Sequence, residues 1–400
     1  MQNETYEYTA PDDTPKRYWL HILLFCLTLI TTAIAGAEMV TNHHFLAEGI
    51  SGLTMNDFWK GFPYAFAFLG FLATHEFGHY FTAVYHRVKC SLPYFIPIFV
   101  PYIFPINIGS FGAVIRLKQV PDSNIKYFDI GIAGPLAGFV VAVGLLIYGF
   151  LTLPPLDYLY EMNPNYHVDF GRIPSEDDIL RKYGSGLLVG NSLLFYFFEQ
   201  FIANPAHLPN HFELIHYPAL FVGYITLFFT ALNLLPIGQL DGGHITYGLF
   251  GGEIAGYISR AVVIILLVFG GLGLVDYNDS SWAIVLGFYL LFLFFIVSKV
   301  VEPKQFTLLI GIVGGILLAQ YYIQHYYKVQ DLNLLWLFYS FIAVRLIKLD
   351  HPPALKELPL TFERKVLGYL ALAILILCFS PNPIRMVFYE PPQGIFTMGF

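Results

Sequence analysis

Charged residues are scarce in this sequence. Asp, Glu, Lys and Arg make up only 12% of its 400 residues, while 56% are hydrophobic. Soluble domains carry about twice that share of charged residues, so a soluble fold is excluded. The net charge of −7 is spread through the connecting segments. It provides no basic surface for a nucleic acid, and we expect no nucleic-acid partner.

Cysteine is also scarce. The chain has three, Cys26, Cys90 and Cys378, and they are far apart. No disulfide framework and no thiolate metal site is therefore expected. Residues 1–17 lack the basic segment with which a signal peptide begins. They are polar and acidic, and we expect them to form a short N-terminal tail.

Long apolar runs, by contrast, are abundant. A helix of about 20 apolar residues crosses a bilayer, and nine runs approach that length. The sequence therefore predicts an all-α polytopic membrane protein with about nine transmembrane helices. The predicted spans are residues 18–37, 63–85, 127–153, 217–237, 257–275, 282–300, 306–322, 332–347 and 366–379.

Two apolar stretches do not fit this pattern. Residues 92–104 carry prolines at every fourth position, and interior prolines break a helix, so no spanning helix is expected there. Irregular backbone persists at membrane depth only where protein or a water-filled cavity covers it. Residues 187–203 are interrupted by Gly190, Asn191, Glu199 and Gln200. We expect this second stretch to be re-entrant or to lie at the interface.

The positions of Lys and Arg predict the orientation. With the N-terminus in the cytoplasm, 15 of the 21 basic residues fall on the cytoplasmic side of the nine spans and 6 on the other. Cytoplasmic loops carry the excess of positive charge, so the sequence places the N-terminus inside.

One motif stands out in the second predicted span, the sequence HEFGH at residues 75–79. Histidines four apart share one helix face, so His75 and His79 can hold one Zn²⁺ ion, and Glu76 can reach water beside it. Chance would produce this pattern in about one or two chains in a hundred of such composition. Ionisable groups at membrane depth are costly and usually functional, which favours a site.

A catalytic zinc site needs a third protein ligand. The candidate is Asp241, in the stretch NLLPIGQLDGGH that follows the fourth predicted span. The nine-span topology places Asp241 on the same side of the membrane as His75 and His79. The alternative is an ordinary turn, because Asp-Gly-Gly is common turn chemistry.

At these residues the chain resembles the site-2 protease family of intramembrane zinc metalloproteases. The family pairs H-E-x-x-H with a later N-x-x-P-x-x-x-x-D-G, and HEFGH and NLLPIGQLDGG match both. The stretches GIAGPLAG and GSFGAVI are similar to family segments as well. Gln239 departs from the family pattern, since several members of the family have a second proline at this position. No PDZ-like insert is evident, so the chain looks most like the PDZ-lacking, multi-span branch of bacteria and plastids.

The resemblance implies the organisation of the chain. A tail (1–17) and a first span with its loop (18–60) precede a core at 61–250 with a three-helix zinc protease centre. Accessory helices follow at 251–400. The resemblance also implies a substrate that is a single-span membrane protein. We expect a multi-pass protein of the bacterial cytoplasmic membrane, with its active site towards the cytoplasm.

The expected chemistry is metal-assisted hydrolysis of a peptide bond. His75, His79 and Asp241 would hold one Zn²⁺, which lowers the pKa of water to about 7. Glu76 would act as the general base. Asn233 resembles the family asparagine and would donate to the oxyanion, with a plain helix–helix contact as the alternative.

The remaining histidines are not expected to be ligands. His244 is expected beside the site or facing solvent. The others without a helix-spaced partner are taken as loop residues: His43, His44, His86, His325 and His351.

A helical substrate hides its carbonyls in hydrogen bonds, so it must unwind before cleavage. The stretch INIGSFGAVIRLK predicts a short strand or a membrane-embedded β-hairpin whose edge pairs with the unwound substrate. The substrate-binding residues would be Gly109, Phe111, Gly112, Ala113 and Val114. The alternative is a plug that only covers the site.

Three other functions stay open. A transporter could use the buried His and Glu residues as an ion relay, although the other charges lie near span ends. A different zinc peptidase could take Glu253, Glu302 or Glu363 as its third ligand. An inactive scaffold of the same fold is the third alternative.

Overall fold

A computed structural model describes residues 18–46, 52–99, 107–276, 280–301, 305–327 and 333–389. The predicted N-terminal tail, 1–17, lies outside these ranges. The described chain is mostly helical. In the first half its helices are α1 (Tyr18–Thr41), α2 (Met55–Lys60), α3 (Phe62–Tyr85), α4 (Asn124–Leu151), α5 (Tyr158–Met162), α6 (Asn165–Phe170), α7 (Glu176–Tyr183) and α8 (Leu193–Phe201).

The second half is helical as well. It contains α9 (Pro218–Leu234), α10 (Asp241–Phe250), α11 (Gly252–Gly270), α12 (Trp282–Val300), α13 (Phe306–Tyr327), α14 (Leu334–Ile342) and α15 (Phe362–Cys378). A π-helical turn, Ala343–Ile347, continues α14. Four short strands accompany the helices: β1 (Tyr94–Pro97), β2 (Ser110–Val114), β3 (Ser185–Val189) and β4 (Ile384–Phe388).

Five described helices are long and apolar enough to cross a membrane, namely α1, α4, α11, α12 and α13. Shorter apolar helices occupy 218–234 and 334–347. The chain thus has the character of a polytopic membrane protein. Helix α3 has 24 residues but is not among the five, because His75, Glu76 and His79 reduce its hydropathy. The full set of nine spans stays a prediction.

The proline-rich stretch is not helical where the structure describes it. Strand β1 pairs antiparallel with β2, with Tyr94 opposite Val114 and Phe95 opposite Ala113. Residues 100–106, which include two of the prolines, lie outside the described residues. The sheet packs on α1, where the Thr31 hydroxyl donates to the Gly109 carbonyl at 2.6 Å.

The stretch 187–203 forms a strand and a short helix, not one span. Strand β3 pairs antiparallel with β4 over five residues, from Ser185 opposite Phe388 to Val189 opposite Ile384. Helix α8 has nine residues and would be about 14 Å long, too short to cross a bilayer. The strand was not predicted, because its partner lies about 200 residues away along the chain. Whether this stretch is re-entrant or interfacial stays a prediction.

Small residues bring α3, α4 and α9 into close contact. A Cβ built on Gly78 of α3 would lie 2.7 Å from the Ala133 carbonyl oxygen of α4. A Cβ on Gly149 would lie 2.7 Å from the Leu220 Cα, and one on Gly223 2.7 Å from the Leu146 Cα. Glycine is therefore needed at these positions, as in other closely packed membrane helices.

The C-terminal part of the chain folds back onto this core. Helix α15 packs against α9, α10 and α4. Just before α15, the backbone of Leu358 exchanges two hydrogen bonds of 2.8 Å with the side chain of Asn124, the first residue of α4. The Lys356 amide donates to the Asp122 carbonyl at 2.9 Å. The start of α4 is thus held from the C-terminal side.

Candidate metal centre

The two histidines of the HEFGH motif face inward from the middle of α3. Both are buried, with 3% of His75 and 5% of His79 exposed. Their Nε2 atoms are 3.0 Å apart and their ring centroids 4.7 Å apart. The i, i+4 spacing predicted from the sequence therefore brings two ring nitrogens to one point inside the protein.

Asp241 completes the group from a different helix. Its Oδ2 lies 3.3 Å from the Nε2 of His75 and 3.3 Å from the Nε2 of His79. Among the residues that the structure describes, these three form the one group of His, Cys, Asp and Glu side chains suited to a metal. Two neutral imidazoles and one carboxylate are ligands that Zn²⁺ accepts.

A tight turn places Asp241. The backbone of Gly238 has φ +43°, which favours glycine, and its amide donates to the Ser259 hydroxyl at 2.9 Å. The same hydroxyl donates to the Pro236 carbonyl at 3.1 Å. After this turn Asp241 opens α10, and a carboxylate is favourable at a helix N-terminus.

The backbone of α4 orients His79. Its Nδ1 is 2.6 Å from the Ile130 carbonyl oxygen. A carbonyl can only accept, so Nδ1 carries the proton and Nε2 presents its lone pair to the Asp241 side. Metal-binding histidines are commonly oriented through such a bond on the second ring nitrogen. His75 differs, since its buried Nδ1 has no hydrogen-bond partner.

Glycines of α4 leave the space for the two imidazoles. A Cβ on Gly134 would lie 2.1 Å from the Nε2 of His79, and one on Gly138 would lie 3.2 Å from the Nδ1 of His75. The sequence predicted close helix contact at GIAGPLAG. It did not show that this contact makes room for the candidate ligands.

Glu76 and Asn233 lie beside the same point. Glu76 is buried, its Oε1 is 4.0 Å from the Nε2 of His75, and the backbone of Ile115 lies beside its carboxylate. The Nδ2 of Asn233 is 3.4 Å from the same His75 nitrogen. The structure therefore gathers the predicted base, the predicted oxyanion donor and the three candidate ligands in one place.

The predicted substrate strand runs next to this group. Ile115, which contacts Glu76, directly follows β2. Gly109 and Gly112 have φ of +82° and +105°, so both positions require glycine. Ala113 is buried, whereas Phe111 and Val114 are about half exposed.

His244 is not in the metal-binding group. Its Nδ1 lies 2.6 Å from the Nε2 of His351, whose Nδ1 lies 2.6 Å from the Pro352 carbonyl. His351 lies in the loop before α15, as expected, and this contact pairs it with His244. No local pattern predicts this pair, because its members are more than 100 residues apart.

Three other histidines also have defined places. His43 contacts Asp57 at 3.0 Å, and His86, at the end of α3, contacts Asp129 at 2.9 Å. His325 lies inside α13, not in a loop as predicted.

Of the glutamates considered as alternative ligands, neither Glu253 nor Glu363 belongs to a described metal-binding group. Glu302 lies outside the described residues.

The profile of Peptidase family M50 matches residues 63–275, more than half of the chain. The chain belongs to this family, the site-2 protease family. The matched region contains both predicted motifs and all of the candidate ligands. The sequence-based recognition of the family is therefore confirmed.

Several curated relatives of this chain are named as zinc metalloproteases. A protein named "Probable zinc metalloprotease EGY1, chloroplastic" from Arabidopsis thaliana is 34% identical over 212 residues, which are 52% of this chain and 34% of the relative. Its namesake from Oryza sativa subsp. japonica is 29% identical over 263 residues, 62% of this chain and 40% of the relative. The Arabidopsis protein named "Probable zinc metalloprotease EGY2, chloroplastic" is 27% identical over 237 residues, which are 58% of this chain and 35% of the relative.

The chain thus spans between a third and two fifths of the length of these relatives. No solved structure matches it significantly.

The fit of α4 against His79 gives a direct test of the metal centre. Gly134→Ala should reduce the bound zinc more than tenfold, because its Cβ would overlap the His79 imidazole and displace it. Gly144→Ala is the matched control, since a Cβ there meets nothing within 4 Å on the same helix. Metal analysis of both purified variants checks this. A Gly134→Ala protein with the zinc content of the control would contradict the arrangement.

Proposed function

We propose that this protein is an intramembrane zinc metalloprotease. It hydrolyses peptide bonds in or near the transmembrane segments of membrane-anchored proteins, and its substrates are single-span membrane proteins. The observation that carries the proposal is the group of two buried imidazoles, His75 and His79, and the Asp241 carboxylate, with Glu76 beside it, in a chain of family M50. The names of the relatives support zinc as the metal.

Each side chain of the group has a role in this proposal. His75, His79 and Asp241 hold one Zn²⁺ ion, which when bound lowers the pKa of water to about 7. Glu76 takes the proton of the attacking water and passes it to the leaving amine. Its carboxylate lies near both the Ile115 backbone and His75.

Asn233 is the proposed oxyanion donor. Its amide nitrogen is 3.4 Å from the Nε2 of His75, so it lies beside the position that the ligands surround. An amide there can donate a hydrogen bond to the oxygen of the tetrahedral intermediate. Removing one such donor typically costs about 2.7–4 kcal/mol in transition-state stabilisation.

Exchange of the base separates catalysis from metal binding. Glu76→Gln should keep the zinc and reduce cleavage at least about a hundredfold, because the amide cannot take the proton. Asp241→Ala should lose zinc itself, because one of three protein ligands is gone. Zinc content and cleavage of a panel of single-span substrates are measured together. Full activity of Glu76→Gln, or unchanged zinc after replacement of all three ligands, contradicts the assignment.

The substrate is proposed to pair with β2 as an added strand. Backbone groups of successive residues in a strand point to opposite edges. The Arg116 carbonyl accepts from the Ser91 amide on the β1 side, at 2.9 Å. Ile115 and Ala113 therefore direct their backbone groups to the other edge, and Ile115 meets Glu76 there. An unwound substrate at this edge regains hydrogen bonds close to the base.

Proline at Ala113 tests the strand-addition proposal. Ala113→Pro removes the amide that faces the open edge, so cleavage of a helical substrate should fall about tenfold or more. Ala113→Gly keeps the amide and serves as the control. Zinc content and the unfolding temperature are compared in both. If the proline variant cleaves like the glycine variant, β2 covers the site and does not hold the substrate.

We further propose nine spans, with the N-terminus and the active site on the cytoplasmic side. The support is the distribution of 15 against 6 basic residues. Helices α4 and α9 pack antiparallel, with Gly149 at Leu220 and Gly223 at Leu146, as this topology requires. The relatives are named chloroplastic, so a bacterial cytoplasmic membrane stays a prediction.

Reporter fusions test the orientation. A reporter after Lys118 should report the cytoplasm, and one after Arg172 the opposite face, because α4 separates the two positions. Both are read with a cytoplasm-active and an export-active reporter. Location of both fusions on one side would show that α4 does not cross the membrane as proposed.

A further inference from the structure

A cluster of charged side chains joins three helices beside the metal centre. The carboxylate of Asp129, in the second turn of α4, accepts two hydrogen bonds from the Arg364 guanidinium of α15. The Nε–Oδ1 and Nη2–Oδ2 distances are both 2.8 Å. The same carboxylate accepts from the Nε2 of His86, at the end of α3, at 2.9 Å. One carboxylate therefore connects α3, α4 and α15.

This contact is stronger than an ordinary surface ion pair. The exposed fractions of the side chains are 17% for Asp129 and 31% for Arg364, so solvent screens the charges only in part. Bidentate pairing of a guanidinium with a carboxylate fixes both direction and distance. The pair can therefore hold the start of α15 in one position against α4.

The residue after Asp129 is the one that orients His79. The Ile130 carbonyl accepts from the Nδ1 of His79 at 2.6 Å, so any shift of this turn moves the acceptor of a candidate metal ligand. Little movement is tolerated here. One turn further along α4, Gly134 lies so close to the same imidazole that a Cβ would reach within 2.1 Å of its Nε2.

We propose that Arg364 is a positioning residue for the metal centre. By holding Asp129 it fixes the first turns of α4, and the Ile130 carbonyl then keeps the Nε2 of His79 directed at the metal. Through this one side chain α15 helps to position a candidate metal ligand, although it contributes no group to the reaction. This inference rests on the proposed function, since it assigns a role towards the same zinc ion.

Other contacts made by the C-terminal part agree with this role. The two hydrogen bonds between Leu358 and the Asn124 side chain hold the first residue of α4. Leu358 and Arg364 flank the start of α15, so both contacts transmit its position to α4. Of the two contacts, the one made by Arg364 lies next to Ile130 along α4.

Arg364→Gln removes the guanidinium, and Lys365→Gln removes a charge from the exposed neighbouring position. Zinc affinity is measured by competition with a chelator on each purified full-length protein. Arg364→Gln should bind zinc about three to ten times more weakly, below the 10–100-fold loss for a direct partner of a ligand. Arg364→Lys should recover part of the affinity, and Lys365→Gln should equal the unchanged protein.

Two further measurements separate positioning from general stability. The visible spectrum of the cobalt-substituted protein reports the ligand geometry, and it should change in Arg364→Gln but not in Lys365→Gln. In the double variant Asp129→Asn with Arg364→Gln, the affinity loss should be less than the product of the single losses, because both act through one contact.

The outcomes are distinct. Equal zinc affinity and equal spectra in Arg364→Gln and Lys365→Gln overturn the positioning role. A loss of zinc affinity in the double variant that equals the product of the two single losses overturns it as well. If Arg364→Gln does not fold, Arg364→Lys and Asp129→Asn are compared with Lys365→Gln in its place, and zinc affinities equal to that control overturn the proposal. An unchanged protein that binds no zinc overturns the proposed function itself.

Discussion

The close contact between α3 and α4 is the constraint on which the candidate site depends. Gly78 on one helix and Gly134 on the other allow a separation that any larger residue would prevent. Only at this separation does the Ile130 carbonyl reach the imidazole of His79. The small residues of GIAGPLAG thus serve packing and chemistry together, and their spacing cannot change without moving a ligand.

His75 and His79 are oriented by different contacts, although they are equivalent positions in the HEFGH motif. A hydrogen bond to α4 sets the tautomer and the direction of His79. His75 has no partner on its Nδ1, so its direction depends on packing against neighbours such as Gly138 and on the groups around its Nε2. A buried polar atom without a partner is costly. Interactions on the Nε2 side must offset that cost, and a bound metal would supply the largest of them.

Local spacing in the sequence predicted which polar side chains lie together better than it predicted the fold. HEFGH needs only the helical repeat to bring His75 and His79 together, and the family pattern added Asp241. Features made by distant segments gave no local signal: the β3–β4 pair, the contact of His244 with His351, and the contact of Asp129 with Arg364. In α3 the conflict is reversed, because His75, Glu76 and His79 lower the hydropathy of the helix that carries them and so weaken its signal as a membrane span.

Catalysis in such a site requires water, a base and an unwound substrate at one point. The short β1–β2 sheet would bring the unwound substrate next to the base. The backbone of Ile115, immediately after β2, lies beside the Glu76 carboxylate. A substrate strand paired with β2 would therefore be held by the segment that lies next to the base. Its register along the strand would decide which carbonyl lies beside Glu76. Selection of the cleavage position would then follow from backbone pairing, with the exposed side chains of Phe111 and Val114 adding preference for neighbouring residues.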